Sequence, residues 1–348
     1  MIDLRSDTIT QPPPAMLEAM QRATYGDDSR DGDETVRNLE AVAAERTGKE
    51  AALLVPSGTM ANLVSLLTYS KSGGELLCEA HCHTLHFEMG GVSTIAGLFP
   101  RGLPGVRGAV DINALKANIR PQLTRNKLGT TLVWMENTHG ESGGAVLPVA
   151  HMAAVMAIAH EHGVPVHVDG ARIFNAAVSL GLSVAELARN TDSLSFCLSK
   201  GLSAPIGSLI CGDRDFMERA RSFRRMVGGN MRQAGIIAAA GLYALEHLTD
   251  RLKEDHRLAQ RIARGLHQVD SSIVDPVYVE TNIVRASLGA SGRSAAQWSA
   301  DLKEHGVRAN AYNDTDLRLV THRHIGDVEI DRLLDIFSLL WKKSRAPI

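Results

Sequence analysis

Val164-Pro165-Val166-His167-Val168-Asp169-Gly170-Ala171-Arg172 is the stretch on which the reading of this chain turns. Its first five residues are a short apolar run of the kind that forms a buried strand. A carboxylate, Asp169, follows directly, and then a turn. Upstream, residues 150–162 have helical spacing, and before them residues 131–136 form another apolar run. Strand, helix and strand close a βαβ unit, which argues for a mostly parallel sheet with helices on both faces.

Further short apolar runs at 76–78 and 193–198 join the same sheet. Ala51–Val55 is another strand, and it leads through Pro56-Ser57-Gly58-Thr59 into a helix ending near Ser70. Residues 14–23 and 35–47 have helical spacing, the second stopped by Gly48. After an apolar run at 207–211, helical spacing returns at 213–223 and again from 231 to 268, with a break near Asp250. The remainder reads as a strand, a helix at 294–305, a strand at 317–321 and a helix at 330–343. The expected fold class is therefore α/β. Residues 1–247 hold an N-terminal segment and a large domain, and 248–348 a smaller C-terminal α+β domain. A chain of 348 residues is long enough for two such units.

Composition excludes several classes of protein. Hydrophobic residues make up 44% and charged residues 22%, with a net charge of −2, so no basic stripe is available to neutralise a nucleic-acid backbone. The cluster Arg221, Arg224 and Arg225 is too small to alter that. The first ten residues, MIDLRSDTIT, carry charges where a signal peptide needs its apolar core. No run approaches the roughly 18 apolar residues of a membrane span. Cys78, Cys82, Cys197 and Cys211 do not make a disulfide framework, and the expected setting is a reduced cytoplasmic one.

Chemistry gathers just past the C-terminal ends of the expected strands, the edge where open α/β sheets bind ligands. Asp169 places a carboxylate there; a strand-end aspartate also serves to cap the following helix. Ser195-Phe196-Cys197-Leu198-Ser199-Lys200-Gly201 ends an apolar strand with a lysine, where a solvated surface lysine is the plain alternative. An amine in a partly desolvated pocket is an imine-forming nucleophile. Ser57-Gly58-Thr59 offers helix N-terminal N–H groups and hydroxyls to a phosphate. An aspartate for a pyridine nitrogen, a lysine for an aldehyde and a phosphate cradle together point to pyridoxal phosphate. Neither a P-loop nor a G-x-G-x-x-G follows a strand, which disfavours nucleotide binding.

More of the chain carries a recognisable pattern. Ile2-Asp3-Leu4-Arg5-Ser6-Asp7-Thr8, Gly48-Lys49-Glu50-Ala51-Ala52, Glu136-Asn137-Thr138-His139, Asp169 through Ala176, Cys197 through Pro205, Gly228 through Gln233 and Arg318-Leu319-Val320-Thr321-His322 follow in order. These stretches resemble the L-threonine aldolase family of fold-type-I pyridoxal-phosphate enzymes, and the resemblance spans nearly the whole chain. It implies a mostly parallel seven-stranded sheet sandwiched by helices, with active sites shared between the subunits of a homodimer or homotetramer. Lys200 would hold the cofactor, Asp169 pair with its ring nitrogen, and His83 stack on the ring. Ser57, Gly58, Thr59 and, from a neighbouring subunit, Arg232 would bind its phosphate. Arg172, Ser6 and Arg318 would hold the amino acid carboxylate. The implied reaction is retro-aldol cleavage of a β-hydroxy-α-amino acid to glycine and an aldehyde, with His83, His139 or a held water taking the hydroxyl proton. β-Elimination or transamination on the same scaffold is the rival.

Four departures from the family pattern stand out. Arg30 replaces a loop tyrosine, Leu85 replaces the tyrosine two positions after His83, the turn at 140–145 is lengthened to GESGGA, and Asn230 replaces a glycine. If these cluster at the site, Arg30 would pair with an acidic β-substituent such as that of a 3-hydroxyaspartate; a solvated loop arginine is the plain alternative. Cys78, His81, Cys82 and His83 have zinc-ligand chemistry but no second pair at finger-like spacing, so no metal is expected. Cys197 reads as inert strand packing.

Overall fold

The computed structural model describes residues 1–344 except Ser72, Gln122, Leu123 and Arg125. Its sheet has seven strands in the order Ala51–Val55, Ser208–Gly212, Ser193–Cys197, Val166–Asp169, Gly129–Glu136, Gly74–Glu79 and Phe99–Leu103. Ser208–Gly212 pairs antiparallel with both of its neighbours, and every other pairing is parallel. All strands but that one therefore end at the same edge, bringing Val55, Cys197, Asp169, Glu136 and Glu79 close together.

Period-two alternation divides the strand residues between two apolar layers. Leu54, Leu77, Val133 and Val168 face the larger layer, under the helices Glu34–Thr47, Val149–Glu161, Ile173–Leu180 and Gly235–His247. Leu53, Val55, Leu76, Leu132 and Trp134 face the opposite side, where Leu53 and Val55 meet the helices Gly58–Tyr69 and Arg214–Met226. Helix Glu34–Thr47 ends where expected because Gly48 adopts φ +64°, a left-handed cap that glycine takes without penalty. The edge strand Phe99–Leu103 was not foreseen. Its Pro100 and Gly102 suppress the strand signal, and an edge position is where a sheet tolerates proline.

A second core lies between the helices Leu252–Val269, Ala295–Glu304 and Asp327–Ser344 and a small antiparallel sheet of Ile283–Ser287, Asp316–Val320 and Asn310–Ala311. The break expected near Asp250 separates Gly235–His247 from Leu252–Val269. The first strand, Ile2–Asp3, pairs in parallel with Val307–Arg308, and Ile2 and Leu4 pack into this second core. The chain thus begins among its own C-terminal residues and only then crosses to the large sheet.

Trp298 anchors the second core. It is fully buried, lies 4.7 Å from the Phe337 ring, and donates from Nε1 to Ser291 Oγ at 2.9 Å. Trp298→Ala should lower stability by about 3–5 kcal/mol, measured as a shift in denaturant unfolding, because a cavity replaces the ring.

Candidate active site

The strand edge opens into a cavity of about 730 Å³ walled by the large sheet, the N-terminal segment and the C-terminal sheet. Ser6, Gly58, Thr59, His83, Asp169, Arg172, Lys200 and Arg318, all expected from sequence, line it.

Asp169 is the last residue of its strand and buried. Oδ1 accepts from the Ala171 N–H at 3.0 Å, so the carboxylate does brace the turn, and Oδ2 accepts from Asn62 Nδ2 at 2.7 Å. The same Asn62 nitrogen donates to Glu88 Oε1 at 2.7 Å, and Asn62 Oδ1 accepts from Ser195 Oγ at 3.0 Å. Glu88 Oε1 also meets His83 Nδ1 at 3.0 Å. One amide therefore fixes the aspartate and the carboxylate behind the histidine together. Burial is the largest influence and opposes charge on His83, but the Glu88 hydrogen bond together with the charges of Asp169, Glu88 and Glu136 outweighs it and holds the imidazole pKa above its ordinary value.

Lys200 follows its strand by a short turn. The Lys200 carbonyl accepts from Thr10 Oγ1 and from the Ser203 N–H, both at 2.8 Å, so the N-terminal segment pins the loop that presents the amine. Across the cavity, Arg172 gives Nε and Nη2 to the two oxygens of Asp7 at 2.8 and 2.5 Å. Burial works against the Asp7 carboxylate, yet Arg172, and then Lys200 and Arg318, hold it well below the usual range. Arg172 keeps only its Nη1 edge for a ligand. Arg318 is mostly buried, and desolvation, reinforced by Arg172, lowers its pKa to about 10.

The phosphate-type cradle lies at the start of helix Gly58–Tyr69. Ser57 Oγ accepts from the Met60 N–H at 3.2 Å, so this residue caps the helix and does not line the cavity. Helix geometry leaves the first-turn N–H groups of Gly58 and Thr59 facing outward. A Cβ at Gly58 would stand 2.7 Å from Cys197 Sγ, so only glycine lets the backbone and the adjacent strand close up here. Cys197 also lines the cavity and is more than strand packing. An anion cradle, a ring-facing aspartate and a cavity lysine make a donor set that fits pyridoxal phosphate.

Other expected residues lie elsewhere. His139 is 1% exposed and behind the cavity wall. Its Nε2 is 3.2 Å from Glu79 and 3.8 Å from Glu136, and its Nδ1 is 2.9 Å from Ser142 Oγ. Burial disfavours its charge, but Glu79 and then Glu136 raise its pKa. Glu136 accepts from the His83 and Gly140 N–H groups at 2.7 and 2.8 Å, tying the two histidine loops together. Arg30 is 77% exposed and pairs at 3.7 Å with Asp27, away from this cavity. Arg232 bonds Ser29 and Asp27 in the same loop. Leu85 packs beside the apolar layer of Trp134, and Asn230 accepts from Arg224. Of the departures from the family pattern, only the lengthened turn reaches the cavity of its own chain, through Gly140 and Glu141. Cys78 and Cys82 pack in that apolar layer, pointing apart in function from His83.

Sequence reasoning missed Asn62, which sits inside a helix with nothing local to mark it. It also passed over Asp7, although it lies within the stretch Ile2–Thr8, and Glu88, five residues after His83.

A lysine and an aspartate facing one cavity at the C-terminal edge of this sheet define a fold-type-I α/β enzyme architecture. The chain belongs to the beta-eliminating lyase family, whose model matches residues 3–288. It is similar to low-specificity L-threonine aldolase 1 of Arabidopsis thaliana, 41% identical over 340 residues, covering 97% of this chain and 95% of that one. It is 40% identical over 337 residues to the low specificity L-threonine aldolase of Escherichia coli strain K12, covering 97% of each. Among solved structures, the threonine aldolase of Leishmania major shares the fold at a TM-score of 0.83 and 17% identity, covering 98% of this chain and 100% of that one.

Asp7→Ala should destabilise the protein by about 3–5 kcal/mol, because it strands a buried guanidinium. Equilibrium unfolding of the cofactor-free protein measures this apart from catalysis.

Proposed function

We propose that this protein is a pyridoxal-phosphate-dependent aldehyde-lyase that cleaves a β-hydroxy-α-amino acid of the L-threonine or L-allo-threonine type to glycine and an aldehyde. The observation that carries this reading is the single cavity in which Lys200 and Asp169 meet Arg318 and the His83–Glu88 pair. The names of the aldolase relatives support the substrate class.

Lys200 would hold the cofactor, Asp169 would keep its ring nitrogen protonated, and the Gly58 and Thr59 N–H groups with the Ser57 cap would cradle its phosphate. The bound cofactor supplies an electron sink for negative charge at Cα. Arg318, the free edge of Arg172 and Ser6 grip the substrate carboxylate, which fixes rotation about Cα. His83 would lie against the bound cofactor and take the β-hydroxyl proton at Nε2, while Glu88 orients it through Nδ1. Such base catalysis contributes about 10²–10⁴-fold. His139, walled off from the cavity with Nδ1 on Ser142 and Nε2 beside two carboxylates, acts as a positioning group between Glu79 and Glu136.

The same reading extends to organisation. The exposed Arg232, remote from its own cavity, supports a homodimer or homotetramer in which it reaches a neighbour's phosphate site. A domain boundary at 247/248 is supported by the end of helix Gly235–His247. Four free, buried cysteines support a reducing, cytoplasmic setting. Among the described residues no helix is long and apolar enough to cross a membrane.

Glycine release by the cofactor-loaded protein from L-threonine, L-allo-threonine, L-phenylserine and the 3-hydroxyaspartates tests the activity, and Lys200→Ala should abolish it. Cofactor binding without glycine from any of these would move the reaction to elimination or transamination. The pH dependence follows from His83, which accepts a proton only when neutral. Because its pKa stands above the ordinary 6.5, kcat/KM should rise with pH through a limb above that value. Glu88→Gln should move the limb downward in pH–rate profiles, and an unmoved limb would remove His83 from this role.

A further inference from the structure

The lengthened turn carries a charge into the cavity that the reaction does not use. The turn is rigid: the His139 N–H donates to the Ala145 carbonyl at 2.8 Å and the Gly144 N–H to the His139 carbonyl at 2.9 Å. Gly143 and Gly144 take φ values of +72° and +74°. The C-terminal domain clamps it from outside. Arg285 Nη1 donates to the Glu141 carbonyl at 2.5 Å, and Thr281 Oγ1 donates to the Gly144 carbonyl at 2.8 Å. Arg285 is itself fixed by Asp316 at 2.8 Å and lies 4.3 Å over the Tyr312 ring. The position of Glu141 is thus set by its backbone, and its side chain is left to line the cavity.

The other ionised groups in the wall have partners or assigned work. Glu88 meets His83, Glu136 accepts two backbone N–H groups and lies near His139, and Arg172 is held by Asp7. Among the described residues Glu141 has no side-chain hydrogen bond, only Arg285 Nη1 at 4.0 Å, and Arg285 is already paired with Asp316. Arg318 lies near enough to feel its charge. A substrate with one carboxylate has Arg318 to meet it. Among the described residues of this wall, a second carboxylate would find no arginine or lysine beyond those that meet the first carboxylate and the cofactor, and it would approach Glu141 instead.

We propose that Glu141 is a specificity-determining residue that bars amino acids with an acidic side chain and leaves the cavity to neutral β-substituents. As a statement about cleavage it rests on the aldolase reading, and it reverses the preference that Arg30 suggested, since Arg30 lies outside its own chain's cavity.

The test compares wild type, Glu141→Gln and Glu141→Asp, each loaded with pyridoxal phosphate. Dissociation constants for L-aspartate and L-alanine are read from the cofactor's absorbance, and kcat/KM is measured for L-threo-3-hydroxyaspartate and L-threonine. Glu141→Gln should shift both ratios toward the acidic ligand by about 5- to 10-fold, the scale of one half-exposed charge. Glu141→Asp should keep the wild-type discrimination, which separates charge from disturbance of the turn. Unchanged or reversed ratios in Glu141→Gln, or an equal shift in Glu141→Asp, would overturn the proposal. Absence of glycine from every substrate would sink the aldolase reading alone, since the aspartate and alanine constants still decide the role of Glu141.

Discussion

The buried Asp7–Arg172 pair ties three distant parts of the chain to one point. Asp7 belongs to the N-terminal segment and Arg172 follows the central strand, while Asn282, just before strand Ile283–Ser287, donates to Asp7 Oδ2 at 3.1 Å. A buried ion pair is costly unless its geometry and remaining hydrogen bonds are satisfied, and here both carboxylate oxygens are occupied. The pair also fixes what surrounds it. Ser6 and Thr8 are held against the cavity on either side of Asp7, and only one edge of Arg172 is left to face a ligand. The segment can reach this point because Ile2 and Leu4 are anchored in the second core.

Parallel pairing does comparable work for the large domain. Since only Ser208–Gly212 runs against its neighbours, successive strands deliver a helix N-terminus, a lysine, an aspartate and a glutamate to one edge. The edge is then cross-braced by polar contacts. Asn62 links Asp169 to Glu88, and Glu136 links the loops of His83 and His139. These contacts are buried, so leaving any one partner unpaired would carry a desolvation penalty. That penalty makes the arrangement a single one.

Environment separates residues that look alike in the sequence. His83 and His139 each follow a strand of the same sheet, and each has its pKa raised by a carboxylate. His83 stands 43% exposed with Nε2 free of the Glu88 contact, whereas His139 is walled in with Nδ1 on Ser142 and Nε2 facing the Glu79 carboxylate at 3.2 Å. Arg30 and Glu141 make the same point about charge. The cation singled out in the sequence pairs with Asp27 at the surface, and an acid in an adjacent departure from the pattern faces the cavity.

The sequence by itself determined the sheet and the identity of its chemical groups. Short apolar runs, helical spacing and Gly48 mark elements through local preferences, and Asp169, Lys200 and Gly58 follow strand ends that can be recognised one at a time. The edge strand Phe99–Leu103 escaped because its proline and glycine carry the opposite local preference, overruled by pairing with Gly74–Glu79. What only the tertiary structure decided is which groups meet. Asn62 beside Asp169 and Asp7 beside Arg172 are contacts between residues 107 and 165 positions apart, and Glu141 meets the cavity only once the chain has folded. Burial and pairing energies that exist only after the chain has closed on itself select those contacts, and no local preference encodes them.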